Sequence, residues 1–565
     1  MRLSPVTLLL SAVALCGVLV AAPGQIFGSL DTAVPMRDGV RLSANIFRPE
    51  APGRYPTILI RTPYGKGQAI SPNYAPFVER GYAVVVQDVR GRYASEGVFR
   101  PLEQEPADGD DTLNWIARQP WSDGKIGMLG GSYLGIVQWK VAALNNPHLK
   151  AIFPAVSGDD DYLDRFYSPG GAMKLGQRLL WMSENLRAPR YHPDFGKFVL
   201  HLPLRTADVA ATGQTSSMFQ EAVAHPAYDS FWKSISVRQQ LDKIRVPVFS
   251  VGGWFDSFVE SDLEAYTRLR KNSGVDRILI GPWSHNKAAK LDTDFGPDAD
   301  VPLRSMQMQW FDQFLKGQDT PLLSQPPVRI FVMGANRWRD AREWPPRAQQ
   351  ERFYLESRGH ANTLAGDGRL RLGTPTGEAD RFVFDPQDPV PTAGGAACCN
   401  PKVFPWGPKD QRPVEKRRDV LVYTTDPLQK DVEVIGTVRV VLYAATSARD
   451  TDFTAKLVDV FPDGRAQNLT DGILRMRYRK SLEKQELARP GEICKLTIDA
   501  GVTGNVFQKG HRIRMEISSS NFPRFDRNPN TGEPVADATE LRKATQTVYH
   551  DARRPSYVLL PVVQD

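Results

Sequence analysis

A serine flanked by glycines, in the segment GGSYLG at residues 130–135, is the feature of this 565-residue chain most suggestive of chemistry. Residues 125–129 predict a buried strand, and residues 136–144 predict a helix. A tight strand-to-helix turn exposes a serine hydroxyl and points a helix N-terminus at it. Ser132 is therefore a candidate nucleophile, although Leu134 replaces the usual last glycine of the pattern and glycine-rich turns also bind phosphates.

A nucleophilic serine needs a histidine base and a carboxylate that orients the base. Of the eight histidines, only His285 directly follows a strand predicted late in the parallel-sheet pattern. Asp256 follows the strand before it, so both should lie with Ser132 at the carboxyl edge of one sheet. Taken singly, Asp256 could instead cap a helix and His285 could be a surface residue. The order serine, aspartate, histidine favours the catalytic interpretation.

The same edge of the sheet offers candidates for binding the substrate. The backbone N–H of Tyr133, directly after the serine, is an expected donor to an oxyanion. The phenol of Tyr64 is a second candidate donor, with a packed aromatic ring as the alternative. Trp254 and Phe258 suit an uncharged or aromatic acyl group, or they belong to the core beneath a cap.

The elements that must position these residues follow from the periodicity. Strands alternate with helices up to residue 156, which predicts an α/β domain with a parallel sheet. The alternation stops and then resumes near residue 246, and from residue 326 short strands are separated by turns. We expect a signal peptide and three structural units: residues 1–24 as the signal peptide, 25–156 with 245–322 as the catalytic domain, 157–244 as a helical cap, and 326–565 as a C-terminal β domain.

The N-terminus indicates export. Arg2 is followed by an apolar run over residues 6–22 that is short for a membrane span and typical of a signal peptide. A secreted or periplasmic location is expected, and an uncleaved N-terminal anchor is the alternative. The net charge of +7 comes without a basic stripe, which disfavours a nucleic-acid partner.

The four cysteines have no metal-ligand spacing, and HExxH is absent. No metal or cofactor is expected. In an exported protein, Cys398 or Cys399 could pair with Cys494, or these residues could be buried thiols; Cys16 would leave with the signal peptide.

Several longer motifs extend along almost the whole chain: MRDGVRL (36–42), TPYGKG (62–67), DVRGRYASEG (88–97), QPWSDGKIGMLGGSYLG (119–135), GGWFDSF (252–258), GPWSH (281–285), DTDFTAKLVDVFPDG (450–464) and SSSNFPRFDRNPNTG (518–532). With them the chain resembles the cocaine esterase and X-Pro dipeptidyl-peptidase-like (CocE/NonD) family of bacterial serine hydrolases. The resemblance implies an α/β-hydrolase domain, a helical cap and a C-terminal jelly roll. It also implies Ser132 as nucleophile, Asp256 as acid, His285 as base, and the Tyr64 hydroxyl and Tyr133 N–H as the oxyanion hole.

The chain departs from the amino-ester hydrolases of this family at one point. Those enzymes hold the substrate ammonium with acidic residues, some of them two and three positions after the catalytic aspartate, where this chain has Phe258 and Val259. Glu260 and residues 159–161 could serve differently. An ester or amide hydrolase acting on a small molecule is therefore expected. Xaa-Pro dipeptidyl-peptidase or acylase activity, or a non-catalytic binding protein on the same scaffold, remains an alternative, and a homo-oligomer is possible.

Overall fold

The computed structural model describes residues 25–564, so the predicted signal peptide lies outside the described residues. The chain builds two large sheets. The first has the spatial order β1-β2-β4-β3-β5-β6-β7-β8-β9-β10, in which the strands from β4 to β9 are parallel. Its strands are β1 (Ile26–Pro35), β2 (Arg41–Pro49), β3 (Tyr55–Thr62), β4 (Ala83–Asp88), β5 (Ser122–Gly131), β6 (Leu149–Ala155), β7 (Phe249–Phe255), β8 (Arg277–Ser284), β9 (Val328–Val332) and β10 (Arg337–Ala341).

Helices cover both faces of this sheet, which is why its central strands are almost entirely apolar and buried. One apolar cluster lies on each face. The helices are α1 (Ala75–Glu79), α2 (Glu105–Ala117), α3 (Tyr133–Ala142), α4 (Leu175–Asn185), α5 (Phe195–Phe198), α6 (Ala207–Thr212), α7 (Ser217–Ala224), α8 (Ser230–Ile235), α9 (Val259–Leu269), α10 (Leu303–Lys316) and, in the C-terminal part, α11 (Arg412–Glu415).

Helices α4 to α8 form the predicted cap. They are inserted between β6 and β7, and a π-helical turn (Asp161–Phe166) precedes them. Cap residues such as Phe219 and Trp232 belong to the same apolar cluster as α3. The cap is thus packed onto the catalytic domain as part of its core.

The second sheet forms the C-terminal jelly-roll domain. Its pairings are antiparallel except for the contact between β12 and β14. Its strands are β11 (Ala348–Glu356), β12 (Arg369–Arg371), β13 (Asp380–Phe384), β14 (Leu421–Thr424), β15 (Val432–Thr446), β16 (Asp452–Val460), β17 (Ala466–Arg475), β18 (Cys494–Phe507), β19 (Arg512–Ser518), β20 (Ala544–Asp551), β21 (Arg554–Pro555) and β22 (Tyr557–Val563).

Two strands of the predicted C-terminal unit, which begins at residue 326, belong to the first sheet. Strand β9 pairs in parallel with β8, and β10 pairs with β9, so both extend the first sheet. The sequence pattern could not assign these strands to a sheet, because a short buried strand has the same pattern of apolar residues at the edge of either sheet. The β-sandwich proper begins with β11.

Candidate active site

Ser132 occupies the turn between β5 and α3 with a positive φ of 56°, a conformation that non-glycine residues rarely adopt. The neighbouring glycines make this turn possible. A Cβ atom at Gly130 would lie 2.5 Å from the Cβ of Leu134, and one at Gly135 would lie 2.6 Å from the Cβ of Ser157. Both positions therefore need a glycine, position 130 because Leu134 lies against it and position 135 because Ser157 does.

Ser132, His285 and Asp256 form one hydrogen-bonded chain. The Nε2 atom of His285 lies 3.0 Å from the Oγ of Ser132, and its Nδ1 lies 2.7 Å from Oδ1 of Asp256. Asp256 follows β7 and His285 follows β8, so adjacent parallel strands deliver both side chains to the same edge as the serine. In this arrangement the imidazole can take the serine proton while the carboxylate stabilises the imidazolium.

The Asp256 carboxylate is fully buried, and its Oδ2 accepts a hydrogen bond from the backbone N–H of Phe258 at 3.3 Å. The ring of Phe258 lies 5.6 Å from the His285 ring, between centroids, so this residue borders the imidazole. Water is thereby largely excluded from the acid–base pair, which strengthens its electrostatic interaction.

Tyr64 lies just beyond β3, and its hydroxyl accepts a hydrogen bond from Nε1 of Trp181 at 3.1 Å. Loss of hydration raises the pKa of the Tyr64 phenol, although the residue is 39% exposed and hydrogen bonds with Trp181 and Ser132 oppose that effect. The phenol therefore stays protonated at neutral pH and can donate to an oxyanion. Trp181 is on α4 of the cap and was not identified from the sequence, because nothing in its local pattern distinguishes it from a core residue.

Tyr133 is the first residue of α3, where the backbone N–H groups have no acceptor within the helix. Its side chain is held by contacts with residues outside α3. The phenol donates to Oε1 of Glu105 at 2.7 Å and accepts from the backbone N–H of Leu102 at 3.1 Å, and the ring stacks on Trp181 with centroids 6.4 Å apart. These contacts fix the backbone whose N–H points beyond the helix start.

The structure does not bring Trp254 into this group. Its indole N–H donates to the backbone carbonyl of Phe331 at 2.6 Å, and its ring lies 6.0 Å from that of Trp344. A Cβ atom at Gly504 would lie 2.8 Å from the indole. The assignment of Trp254 to an acyl pocket is corrected, since alternation along β7 directs this side chain to the contact between the two sheets.

The carboxylates of the acidic segment 159–161 already have cationic partners. Asp159 and Asp160 lie 3.3 and 3.4 Å from the guanidinium of Arg238, and Asp161 lies 2.9 Å from Nζ of Lys140. A substrate ammonium would have to compete with these partners.

The cysteine pairing differs from the expected alternatives. The sulfur atoms of Cys398 and Cys399 pair with each other, and Cys494 is a free, buried thiol whose pKa is raised by burial. The sequence alone could not predict this pairing, because two cysteines that are adjacent in a chain can either form a disulfide or remain unpaired. Over residues 25–564 there is no group of three or more His, Cys, Asp or Glu side chains placed to hold a metal ion. None of the helices in that range is long and apolar enough to cross a membrane.

Comparison with known proteins assigns both halves of the chain. Residues 38–287 match the X-Pro dipeptidyl-peptidase (S15 family), and residues 323–559 match the X-Pro dipeptidyl-peptidase C-terminal non-catalytic domain. A cocaine esterase from Rhodococcus sp. (strain MB1 Bresler) is 41% identical over 94% of this chain and 98% of its own length.

Two solved structures are similar over nearly their full length. An aminopeptidase from the marine sediment archaeon Thaumarchaeota archaeon has a TM-score of 0.83 at 27% identity, covering 96% of this chain and 97% of that chain. An α-amino acid ester hydrolase has a TM-score of 0.83 at 26% identity, covering 98% of this chain and 100% of that chain. All of these relatives are named for hydrolytic activities.

Proposed function

This chain belongs to the cocaine esterase and X-Pro dipeptidyl-peptidase (CocE/NonD) family of hydrolases, and we propose that it cleaves carboxylic esters through an acyl-enzyme on Ser132. The observation that carries the proposal is the continuous hydrogen-bonded chain from Asp256 through His285 to Ser132. It stands at the carboxyl edge of the parallel sheet, where ligands bind in such folds.

The mechanism follows from this geometry. Nε2 of His285 takes the hydroxyl proton as the Oγ of Ser132 bonds to the substrate carbonyl carbon, and the carbonyl oxygen becomes an oxyanion. The Tyr64 hydroxyl and the Tyr133 N–H donate to that oxyanion. The intermediate collapses when the leaving alcohol oxygen departs with the proton from His285. Water then repeats the sequence: His285 takes its proton, the hydroxide adds to the acyl carbon, and Ser132 leaves with that proton.

An ester is favoured over an N-terminal dipeptide because the latter requires recognition of a free ammonium. The two positions after Ser257 are apolar, Phe258 and Val259, and the carboxylates of residues 159–161 are paired with cations. Phe258 beside His285 suits an acyl group with an apolar or aromatic part next to its carbonyl.

We also propose that the protein is exported to the periplasm or the medium. The support is the apolar run at residues 6–22 after Arg2, which has the composition of a signal peptide. N-terminal sequencing of the protein recovered from periplasmic and extracellular fractions tests it. An N-terminus beyond residue 22 in those fractions is expected, and full-length protein confined to the cytosol would contradict export.

The enzymatic proposal is tested with p-nitrophenyl butyrate, p-nitrophenyl benzoate and Ala-Pro-p-nitroanilide. We expect turnover of the two esters above that of the anilide, and a loss of about 10⁴-fold or more in kcat for Ser132→Ala. Ser305→Ala, at an exposed position on α10, is the matched control and should keep full activity and full labelling by a fluorophosphonate probe. Equal turnover by Ser132→Ala would rule out this nucleophile, and a preference for the anilide would favour the dipeptidyl-peptidase alternative.

A further inference from the structure

Arg178, on α4 of the cap, is a buried cation without a carboxylate partner among residues 25–564. It is 8% exposed. Its Nε and Nη2 atoms donate to the backbone carbonyl of Arg165 at 3.2 and 2.9 Å, and its guanidinium lies 4.7 Å from the ring centroid of Phe166. A carbonyl and a ring face only partly offset the loss of water around a full charge, so an unpaired buried guanidinium is costly unless an anion joins it.

The charges around Arg178 do not balance. Asp161 is the nearby carboxylate, and it is already shared by Arg165, which contacts it directly, and by Lys140, whose Nζ lies 2.9 Å away. Burial would raise the pKa of Asp161, yet these two cations hold it below its ordinary value. The pKa of Arg178 is lowered by burial and by the neighbouring Arg165. The other carboxylate that acts on Lys140 is Glu105, which is itself paired with Arg61. Arg178, Arg165 and Lys140 therefore share Asp161, which leaves an excess positive charge that an anion would neutralise.

This excess charge lies close to the proposed oxyanion hole. Trp181 follows Arg178 by one helical turn, with its ring centroid 5.9 Å from the guanidinium carbon, and its indole N–H donates to Tyr64. Arg92 lies on the other side of the same region, where it donates to the backbone carbonyls of Pro63 and Asn185 at 2.9 and 3.0 Å. Arg92 also has no carboxylate partner in the described chain.

We infer that Arg178 binds a free carboxylate on the acyl part of the substrate, with Arg92 at the outer edge of the same site. The inference rests on the proposed function, in which Tyr64 and Tyr133 hold the acyl carbonyl oxygen. Arg178 lies against Trp181, which contacts both of those tyrosines, whereas His285 delivers the proton to the leaving group. The carboxylate is therefore assigned to the acyl part of the substrate. The substrate class is therefore a half-ester of a dicarboxylic acid, with an apolar segment between its two carboxyl groups.

The test compares p-nitrophenyl adipate, the half-ester, with neutral p-nitrophenyl hexanoate, and uses Ser132→Ala protein to subtract spontaneous hydrolysis. We expect kcat/KM of the wild type to be at least about tenfold higher for the half-ester, as one charged hydrogen bond can provide. Arg178→Gln should lower that value about 10- to 100-fold and leave the hexanoate within about twofold. Arg178→Lys should keep part of the preference. Arg187→Gln, at an exposed position of the same cap, should change neither substrate.

A purely structural role for Arg178 would reduce the rates on both esters equally, and that result, or the absence of a preference in the wild type, would overturn the inference. A preference for a carboxylate on the leaving group, measured with 4-acetoxybenzoate against 4-acetoxybenzamide, would overturn the assignment to the acyl side. Binding of free adipate to Ser132→Ala protein, measured by calorimetry, reads the anion site without turnover. It should disappear when Arg178→Gln is added, and this readout holds even if neither ester is cleaved and the proposed function fails.

Discussion

The Nδ1 atom of His285 lies 2.7 Å from Oδ1 of Asp256, a carboxylate that solvent does not reach. The pairing fixes the histidine tautomer with its proton on Nδ1, which leaves Nε2 free to accept a proton from Ser132. A second buried carboxylate lies close to this pair. Asp262 accepts a hydrogen bond from the backbone N–H of Gly158 at 3.1 Å, and its pKa is raised well above the ordinary value by burial and by Asp256.

Asp256→Asn should lower kcat for p-nitrophenyl butyrate by about 10³- to 10⁴-fold, because an amide holds the wrong histidine tautomer. The melting temperature should change little, since the amide has nearly the same shape. Asp262→Asn is the matched control: the Asp262 carboxyl accepts from the Gly158 N–H rather than contacting His285, and burial raises its pKa, so a neutral amide of the same shape should keep kcat within about threefold. If Asp256→Asn retained more than a tenth of the wild-type kcat, Asp256 would not be the orienting acid.

The positions of Ser132, Asp256 and His285 along the chain were readable from sequence because each directly follows a strand of a parallel sheet. Strands of this kind are short apolar runs, and their carboxyl ends lie together whatever the loops do. The cap insertion was readable for the same reason, as an interruption of the alternating pattern.

The positions of residues that the cap contributes to the site, or that face the second domain, could not be predicted from the strand pattern. Trp181 and Arg178 reach the site from α4, whose docking depends on long-range packing that no local period encodes. Trp254 has the correct neighbours in sequence, but alternation along β7 turns its indole toward Phe331. That Arg178 has no carboxylate partner in the described chain can be recognised only from the three-dimensional positions of the nearby charged groups.

Tyr64→Phe should lower kcat by about 10²-fold, as the loss of one oxyanion donor does, with a much smaller change in KM. Trp181→Phe keeps an aromatic ring against Tyr133 but removes the hydrogen bond to the Tyr64 hydroxyl. It should therefore cause a smaller loss of kcat, because the phenol is less well oriented. Steady-state kinetics on p-nitrophenyl butyrate measures both effects.

Tyr93→Phe is the control for this pair of variants. Tyr93 lies in the adjoining loop and is 65% exposed, so the loss of its hydroxyl should leave kcat unchanged. A Tyr64→Phe enzyme with wild-type kcat would exclude the phenol as an oxyanion donor and leave the Tyr133 N–H without this partner.

Glu260, on α9 behind Asp256, is an exposed residue that lines a partly open chamber of about 190 Å³ at the junction of the cap and both sheets. Lys174 and Arg524 also line this chamber, together with Asp499. Loss of hydration inside this chamber, followed by repulsion from Asp499, raises the pKa of Glu260 to about 7, against the opposing effect of the two cations. In the unfolded chain the pKa of a glutamate is near its ordinary value of about 4.3.

This difference in pKa couples stability to pH. Between about pH 4.3 and pH 7 the folded protein holds a proton on Glu260 that the unfolded chain has released. The contribution of Glu260 to stability is therefore present at low pH and falls as pH rises through that window, with the loss complete above pH 7. Glu260→Gln cannot ionise, so its melting temperature should match that of the wild type near pH 4.5 and exceed it at pH 8, by about 1 °C or less because solvent reaches Glu260 and screens its charge.

Thermal unfolding followed by circular dichroism at pH 4.5, 6 and 8 measures this effect. Glu79→Gln, at an exposed position on α1 and without an ion pair in the described chain, is the control and should unfold in parallel with the wild type at each pH. The esterase kcat of Glu260→Gln at pH 7 should remain close to that of the wild type, because the side chain faces the chamber rather than Ser132. Parallel melting curves for Glu260→Gln and the wild type from pH 4.5 to 8 would show that Glu260 is ionised throughout and that Lys174 and Arg524 outweigh the cost of burying it.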